Sequence, residues 1–174
     1  MNKKIFTLLV VLLLVAAVFA GCNKTPEPTA EPKKGLTVTD MKGREVTLDG
    51  PATKIVVLTA GDCEILFALG AGDTVVGRGA YCDYPEQVFD IPAVESGGET
   101  NVEQIIALEP QVVIMSTMAQ KTEHIDALER AGIKVVTTEA YDINGTYEAI
   151  KLIGAVTGKN EEAAALVDEM KAGF

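Results

Sequence analysis

The sequence predicts an α/β fold with a largely parallel β-sheet flanked by helices. Three observations carry that expectation. The apolar runs Ile55–Leu58 and Val112–Met115 lack the in–out alternation of a half-exposed sheet, so they read as strands buried on both faces, and Ile133–Thr137 reads as a further strand. Segments of helical pattern separate them. Gly70, Pro110 and Gly132 punctuate the ends of those segments, as residues that break helices should.

Taken in order, Leu36–Thr39 and Arg44–Leu48 are short β-type runs around Asp40-Met41-Lys42-Gly43, a hairpin with the glycine at its turn. After Gly50-Pro51 comes the strand Ile55–Leu58. Asp62 is placed to cap a helix Cys63–Leu69, and Val75-Val76 forms the next short strand. A long loop follows, with at most one helical turn near Pro85–Phe89. Asn101 opens a helix with Gln104 three residues on, a capping-box pattern. Its apolar side is Val102, Ile105 and Ile106, which turns Glu103 outward. Then come the strand Val112–Met115, a helix Lys121–Ala131 with Ile125 and Leu128 inward, and the strand Ile133–Thr137. Thr146–Val156 is a helix with Tyr147, Ile150 and Ile153 on one side. Gly158-Lys159-Asn160 breaks it, and a last Ala-rich helix begins near Glu161.

Ahead of this fold lies a different kind of sequence. Lys3 and Lys4 precede the uncharged run Ile5–Ala20, which suits a signal peptide and is short of the roughly 20 residues of a membrane span. Ala20 and Gly21 then lead into Cys22, an order that resembles the bacterial lipobox. That resemblance implies removal of residues 1–21 and lipidation of Cys22; Phe19 stands where the box usually has Leu. An ordinary secretory peptide and an uncleaved anchor are the alternatives. Residues 22–35, rich in proline and charge, read as a tether, able to hold a domain on the order of 40 Å from a bilayer.

Composition excludes several functions. With 15 Lys and Arg against 25 Asp and Glu, the net charge is −10; loss of the leader takes two lysines and no acid, leaving about −12. A polyanion would be repelled, so nucleic acid is not an expected partner. Three cysteines do not make a disulfide framework, and one His leaves no zinc signature. Cys63 and Cys82 could pair in an exported protein, though their spacing alone does not show it. Gly70-Ala71-Gly72 follows a helix rather than a strand and lacks a third glycine, so it is not a dinucleotide loop. No nucleophile–base pair can be argued, so an enzyme is not expected. His124, beside Glu123, reads as a surface residue.

Five strings occur in order: TVTDMKGREVTLDGPATKIVVL, EILFALGAGDTVVGRGAYCDYP, NVEQIIALEPQVVIM, ALERAGIKVV and IKLIGAVTGKNEEAAALVDEM. Together they resemble the periplasmic-binding family for iron siderophores, haem and cobalamin, the solute-binding components of ABC importers. The resemblance implies a Rossmann-like lobe at 36–159 and, at 160–174, the start of the long helix joining two lobes, with the second lobe absent from this sequence. It implies a lipoprotein on the extracytoplasmic face of the cell membrane, ABC permease subunits as partners, and a metal chelate, tetrapyrrole or corrinoid as ligand. No cofactor or resident metal is expected. A surface sensor reusing the same lobe is the alternative function.

Ligands of open parallel sheets bind beyond the carboxyl ends of the strands. That rule selects Thr59 and Ser116 at strand ends, and Arg78, Tyr81 and Gly97 along the edge. Tyr81 matches a family position that faces ligand, and Arg78 is placed to pair with a ligand carboxylate or phosphate. Cobalamin-binding members often carry tryptophans near Ser96-Gly97-Gly98 and after the strand ending at Ser116-Thr117-Met118; this sequence has none. That departure leaves siderophore, haem or another corrinoid open. The resemblance also implies that Glu103, in its Asn-x-Glu context, docks into permease arginines.

Overall fold

The computed structural model describes residues 35–118 and 120–173. The expected leader, Cys22 and the tether as far as Lys34 lie outside the described residues.

The chain opens with an antiparallel hairpin, β1 (Leu36–Thr39) and β2 (Glu45–Leu48). Gly43 at its turn has φ +78°. The main sheet contains β3 (Ile55–Val57), β4 (Val75–Gly79), β5 (Ala93–Val94), β6 (Val112–Ser116) and β7 (Lys134–Thr138). Its order is β5-β4-β3-β6-β7, and every neighbouring pair is parallel. The helices are α1 (Ala60–Ala68), α2 (Val102–Ala107), α3 (Thr122–Arg130), α4 (Ile143–Thr157) and α5 (Asn160–Ala172). Short 3-10 turns occupy Gly72–Thr74 and Glu86–Asp90.

The apolar runs are continuous because each face of the sheet has its own cover. Ile55, Val57, Val112, Ile114 and Val136 join a core with Leu66 of α1, Ile150 and Ile153 of α4, and Val167 of α5. The residues between them, Val56, Val113, Met115 and Val135, point the other way, onto Ile105 of α2 and Leu128 of α3. Side chains alternate across a strand, so a sheet with helices on both faces needs no polar positions. The hairpin closes one end of the first core through Val38, Val46 and Leu48. Helices α4 and α5 approach closely at Gly154, where an added Cβ would lie 2.5 Å from that of Ala163.

Several boundaries differ from the sequence reading. Asp62 is not a cap: α1 starts at Ala60 after Thr59, and the Asp62 carboxylate turns inward. Helix α4 starts at Ile143 because Asp142 caps it, accepting from the Gly145 N–H at 2.7 Å. The Asn101 box is half formed: its Oδ1 accepts from the Gln104 N–H at 3.1 Å, while Gln104 Oε1 takes the Glu95 N–H instead. Ile106 is exposed, so the buried side of α2 rests on Ile105. His124 is half-buried rather than on the open surface.

Candidate functional site

The carboxyl ends of β4, β3, β6 and β7 lie side by side, because parallel strands all finish at one edge. Hydrogen bonds tie those ends together. The Ser116 N–H donates to Thr59 Oγ1 at 3.1 Å, joining β6 to the end of β3, and the Met118 N–H donates to Ser116 Oγ at 3.2 Å. Thr59 and Ser116 therefore hold the backbone as well as facing the edge.

A groove of about 490 Å³ opens there. Thr59, Ser116, Thr138 and Asp62 form its polar floor, and Ile65, Ile150, Leu166 and Met170 its apolar wall. Asp62 is the residue that sequence reasoning missed. Its carboxylate accepts from Thr138 Oγ1 at 2.6 Å. Burial pushes its pKa up to about 6, against the opposing pull of hydrogen bonds from Thr138 and Thr59. A helix-start aspartate in sequence looks like a cap; only the β7 threonine opposite marks it as a groove residue.

Along the same edge the loops present large exposed side chains. Tyr81 follows β4 and is 75% exposed, Met118 follows β6 at 62%, and Tyr141 follows β7 at 71%. Strands lie about 4.8 Å apart, so β4 to β7 spans roughly 14 Å. Behind this row, Glu139 ties three loops together. Its carboxylate accepts from the Thr117 N–H at 3.1 Å, from the Thr117 hydroxyl and from the Tyr141 hydroxyl, and lies 3.6 Å from Lys42 Nζ. Burial acts to raise its pKa, but the bonds from Thr117 and Tyr141 and the charge of Lys42 outweigh it and hold the group below the usual carboxylate range. The same bond to Glu139 raises the Tyr141 phenol.

The structure separates Arg78 from the other expected contacts. Its residue is only 9% exposed. Nε donates to the Val88 carbonyl at 2.8 Å, Nη1 to the Cys82 carbonyl at 3.0 Å, and the guanidinium lies 5.3 Å from the Phe89 ring. The expected pairing with a ligand anion is thereby corrected. The strand end curls its loop over this side chain, and the carbonyls of that loop satisfy it. Arg78 holds up the Tyr81 loop from beneath.

Gly97 sits in the neighbouring loop with φ +99°. That loop meets the Tyr81 loop where the Ala80 N–H donates to Ser96 Oγ at 3.1 Å. Glu103 is exposed in the first turn of α2, and no ion pair involves it among the described residues. Because α2 follows β5, its start lies at the same edge as the groove. Cys63 and Cys82 are both fully buried and both free. Among the described residues no group of three or more His, Cys, Asp and Glu is placed to hold a metal ion, and no helix is long and apolar enough to cross a membrane.

Comparison with known proteins gives this geometry a family. An ABC transporter substrate-binding lipoprotein of Bacillus subtilis (strain 168), itself uncharacterized, is 34% identical over 169 residues, covering 92% of this chain and 54% of the relative. A cobalamin-binding protein of Halobacterium salinarum is 29% identical over 175 residues, covering 95% and 47%. Among solved structures, the haem-binding protein HmuT superposes with a TM-score of 0.68 at 27% identity, over 82% of this chain and 47% of that one. The chain thus spans about half the length of the relatives it matches. Residues 55–173 match the periplasmic binding protein family, and the chain belongs to it.

Proposed function

We propose that this chain supplies one lobe of the extracytoplasmic substrate-binding component of an ABC importer, and that its ligand is a metal chelate or tetrapyrrole: an iron siderophore, haem or a corrinoid. The observation that carries the reading is the strand-end edge. A groove with a short polar floor and Met118 in its lining opens at the edge where the loops also expose Tyr81 and Tyr141, a surface suited to a broad ligand with an apolar face and a polar rim. A sugar site would be expected to offer more free hydrogen-bond partners than this edge does. Relatives named for cobalamin and haem support the ligand class. The absence of tryptophan from the chain favours contact through phenol and thioether groups.

The rest of the reading concerns delivery. Cys22, lipidated, anchors the protein, residues 22–35 tether it, and Glu103 docks on the permease beside the groove mouth. Residues 160–174 enter the helix that joins this lobe to a second one, and the ligand is held between them. The test is uptake. Cells lacking the reading frame are compared with wild type for import of labelled haem, a ferric siderophore and cobalamin, with a sugar as control. Loss of one of the three, with sugar import intact, supports the proposal; unchanged import of all three sinks it.

A further inference from the structure

Cys63 and Cys82 play no part in the groove, yet the fold brings them together. Cys63 lies in the first turns of α1, its N–H donating to the Thr59 carbonyl at 3.0 Å. Cys82 lies just past β4, where its own N–H donates to the Gly79 carbonyl at 3.0 Å and turns the chain back over the sheet. Its Sγ stands 3.9 Å from the carbonyl of Val57, the last residue of β3 and the neighbour of Arg78 in the sheet register. Helix α1 begins three residues after Val57, so both sulfurs occupy the space above that strand end. They share one apolar core with Val57 and Val88, neither has any exposure, and each thiol shifts the other's acidity.

We infer that Cys63 and Cys82 form a disulfide in the oxidised protein, which staples the Tyr81 loop to the first strand–helix crossover. The loop needs such a fastening. Between β4 and β5 it contains only the turn Glu86–Asp90 as regular structure, and its chief anchor is the Arg78 guanidinium on the Cys82 and Val88 carbonyls. A bond at Cys82 would fix the residue next to Tyr81.

The chemistry is thiol–disulfide exchange with an extracytoplasmic protein disulfide. One thiol loses its proton and attacks the oxidant to give a mixed disulfide; the second thiolate displaces the oxidant's sulfur. The oxidant leaves as a dithiol, carrying the two electrons and two protons lost by the cysteines. In the closed fold Cys82 is the more acidic of the two: the neighbouring Cys63 thiol lowers it, burial opposes that, and the Gly79 backbone and Arg78 assist, while Cys82 and burial push Cys63 up. Complete burial places the reaction during folding, before the loop closes.

Only the source of the oxidant rests on the proposed extracytoplasmic location. The test therefore uses the purified full chain without ligand or membrane, and its outcome is separate from the uptake experiment. The chain is reduced in denaturant, refolded in a mixture of reduced and oxidised glutathione, alkylated and mapped by peptide mass. The expected product is one cross-linked pair of peptides containing Cys63 and Cys82, with Cys22 outside it. Closing a loop of about 20 residues should raise Tm by roughly 10 °C over the reduced chain. Cys63→Ser, Cys82→Ser and the double variant should each lose that same increment, because either substitution removes the whole bond. Recovery of both cysteines as free thiols or glutathione adducts would overturn the inference. So would an oxidised chain that melts below the reduced one.

Discussion

Asp62 and Glu139 are two buried carboxylates at one sheet edge, and their surroundings push them in opposite directions. Asp62 has burial as its main influence and titrates near 6. The unfolded chain releases that proton near pH 4, so between about 4 and 6 the folded state binds more protons. Stability should fall as pH rises through that window and level off above it, by about 3 kcal/mol if two pKa units separate the states. Asp62→Asn should flatten that slope in urea titrations and match or exceed wild-type stability at pH 8. Glu139 has the reverse sign, since its donors hold it low. Its contribution is present above the unfolded carboxylate pKa and lost as pH falls through the folded one. Glu139→Gln should cost about 2 kcal/mol at pH 7, and the gap from wild type should close in acid. Neither role was legible in the sequence. Thr138 lies 76 positions from Asp62 and Thr117 lies 22 from Glu139, and no local pattern records such pairings. The strand-end threonine and serine, by contrast, were legible, because a parallel sheet dictates where its carboxyl ends lie.

At the scale of elements, the sequence reading worked where a segment carried its own signal. Strands β3 and β6 sit in the continuous apolar runs Ile55–Leu58 and Val112–Met115, and α3 and α4 show the helical repeat of their buried residues. It failed where the determinant was short or distant. Strand β5 is two residues long and exists through its pairing with Arg78 and Gly79. Strand β4 continues through Gly77-Arg78-Gly79, a triplet whose glycines read as loop. Gly79 belongs there for want of room: an added Cβ would stand 2.6 Å from the Leu58 carbonyl oxygen. Arg78 was the costliest misreading, since an arginine at a sheet edge looks available until the loop is folded over it. Arg78→Met keeps an unbranched chain and removes the donors to Val88 and Cys82. It should destabilise the protein by about 3 kcal/mol, the scale set by losing charged hydrogen bonds to buried carbonyls. Hydrogen exchange should show faster opening of residues 80–91 than of β6.

For the whole molecule, the chain is an α/β lobe with a ligand-sized groove at the strand-end edge, exposed tyrosines on the loops of that edge and an exposed acid, Glu103, in the first turn of α2. The fold class was legible in sequence because strand and helix signals alternate. The groove was legible only as an edge, since its wall comes from Ile65, Ile150 and Leu166 on three separate helices. If Glu103 docks on a basic permease surface, Glu103→Lys should leave Tm and ligand affinity nearly unchanged. It should nonetheless slow uptake, more than Glu103→Ala does and most strongly at low salt. Unimpaired uptake in Glu103→Lys would reduce that carboxylate to a helix-terminus residue. The central claim, that the strand-end rim takes a metal chelate or tetrapyrrole, is tested most directly by equilibrium titration of the protein, together with whatever follows Phe174 in its reading frame. Haem, a ferric siderophore and cyanocobalamin are each followed by ligand absorbance in wild type and in Tyr81→Ala and Tyr141→Ala. The account predicts saturable binding of one of them, weakened roughly tenfold by loss of a stacking ring. Binding of none of the three, or binding that neither tyrosine affects, would contradict it.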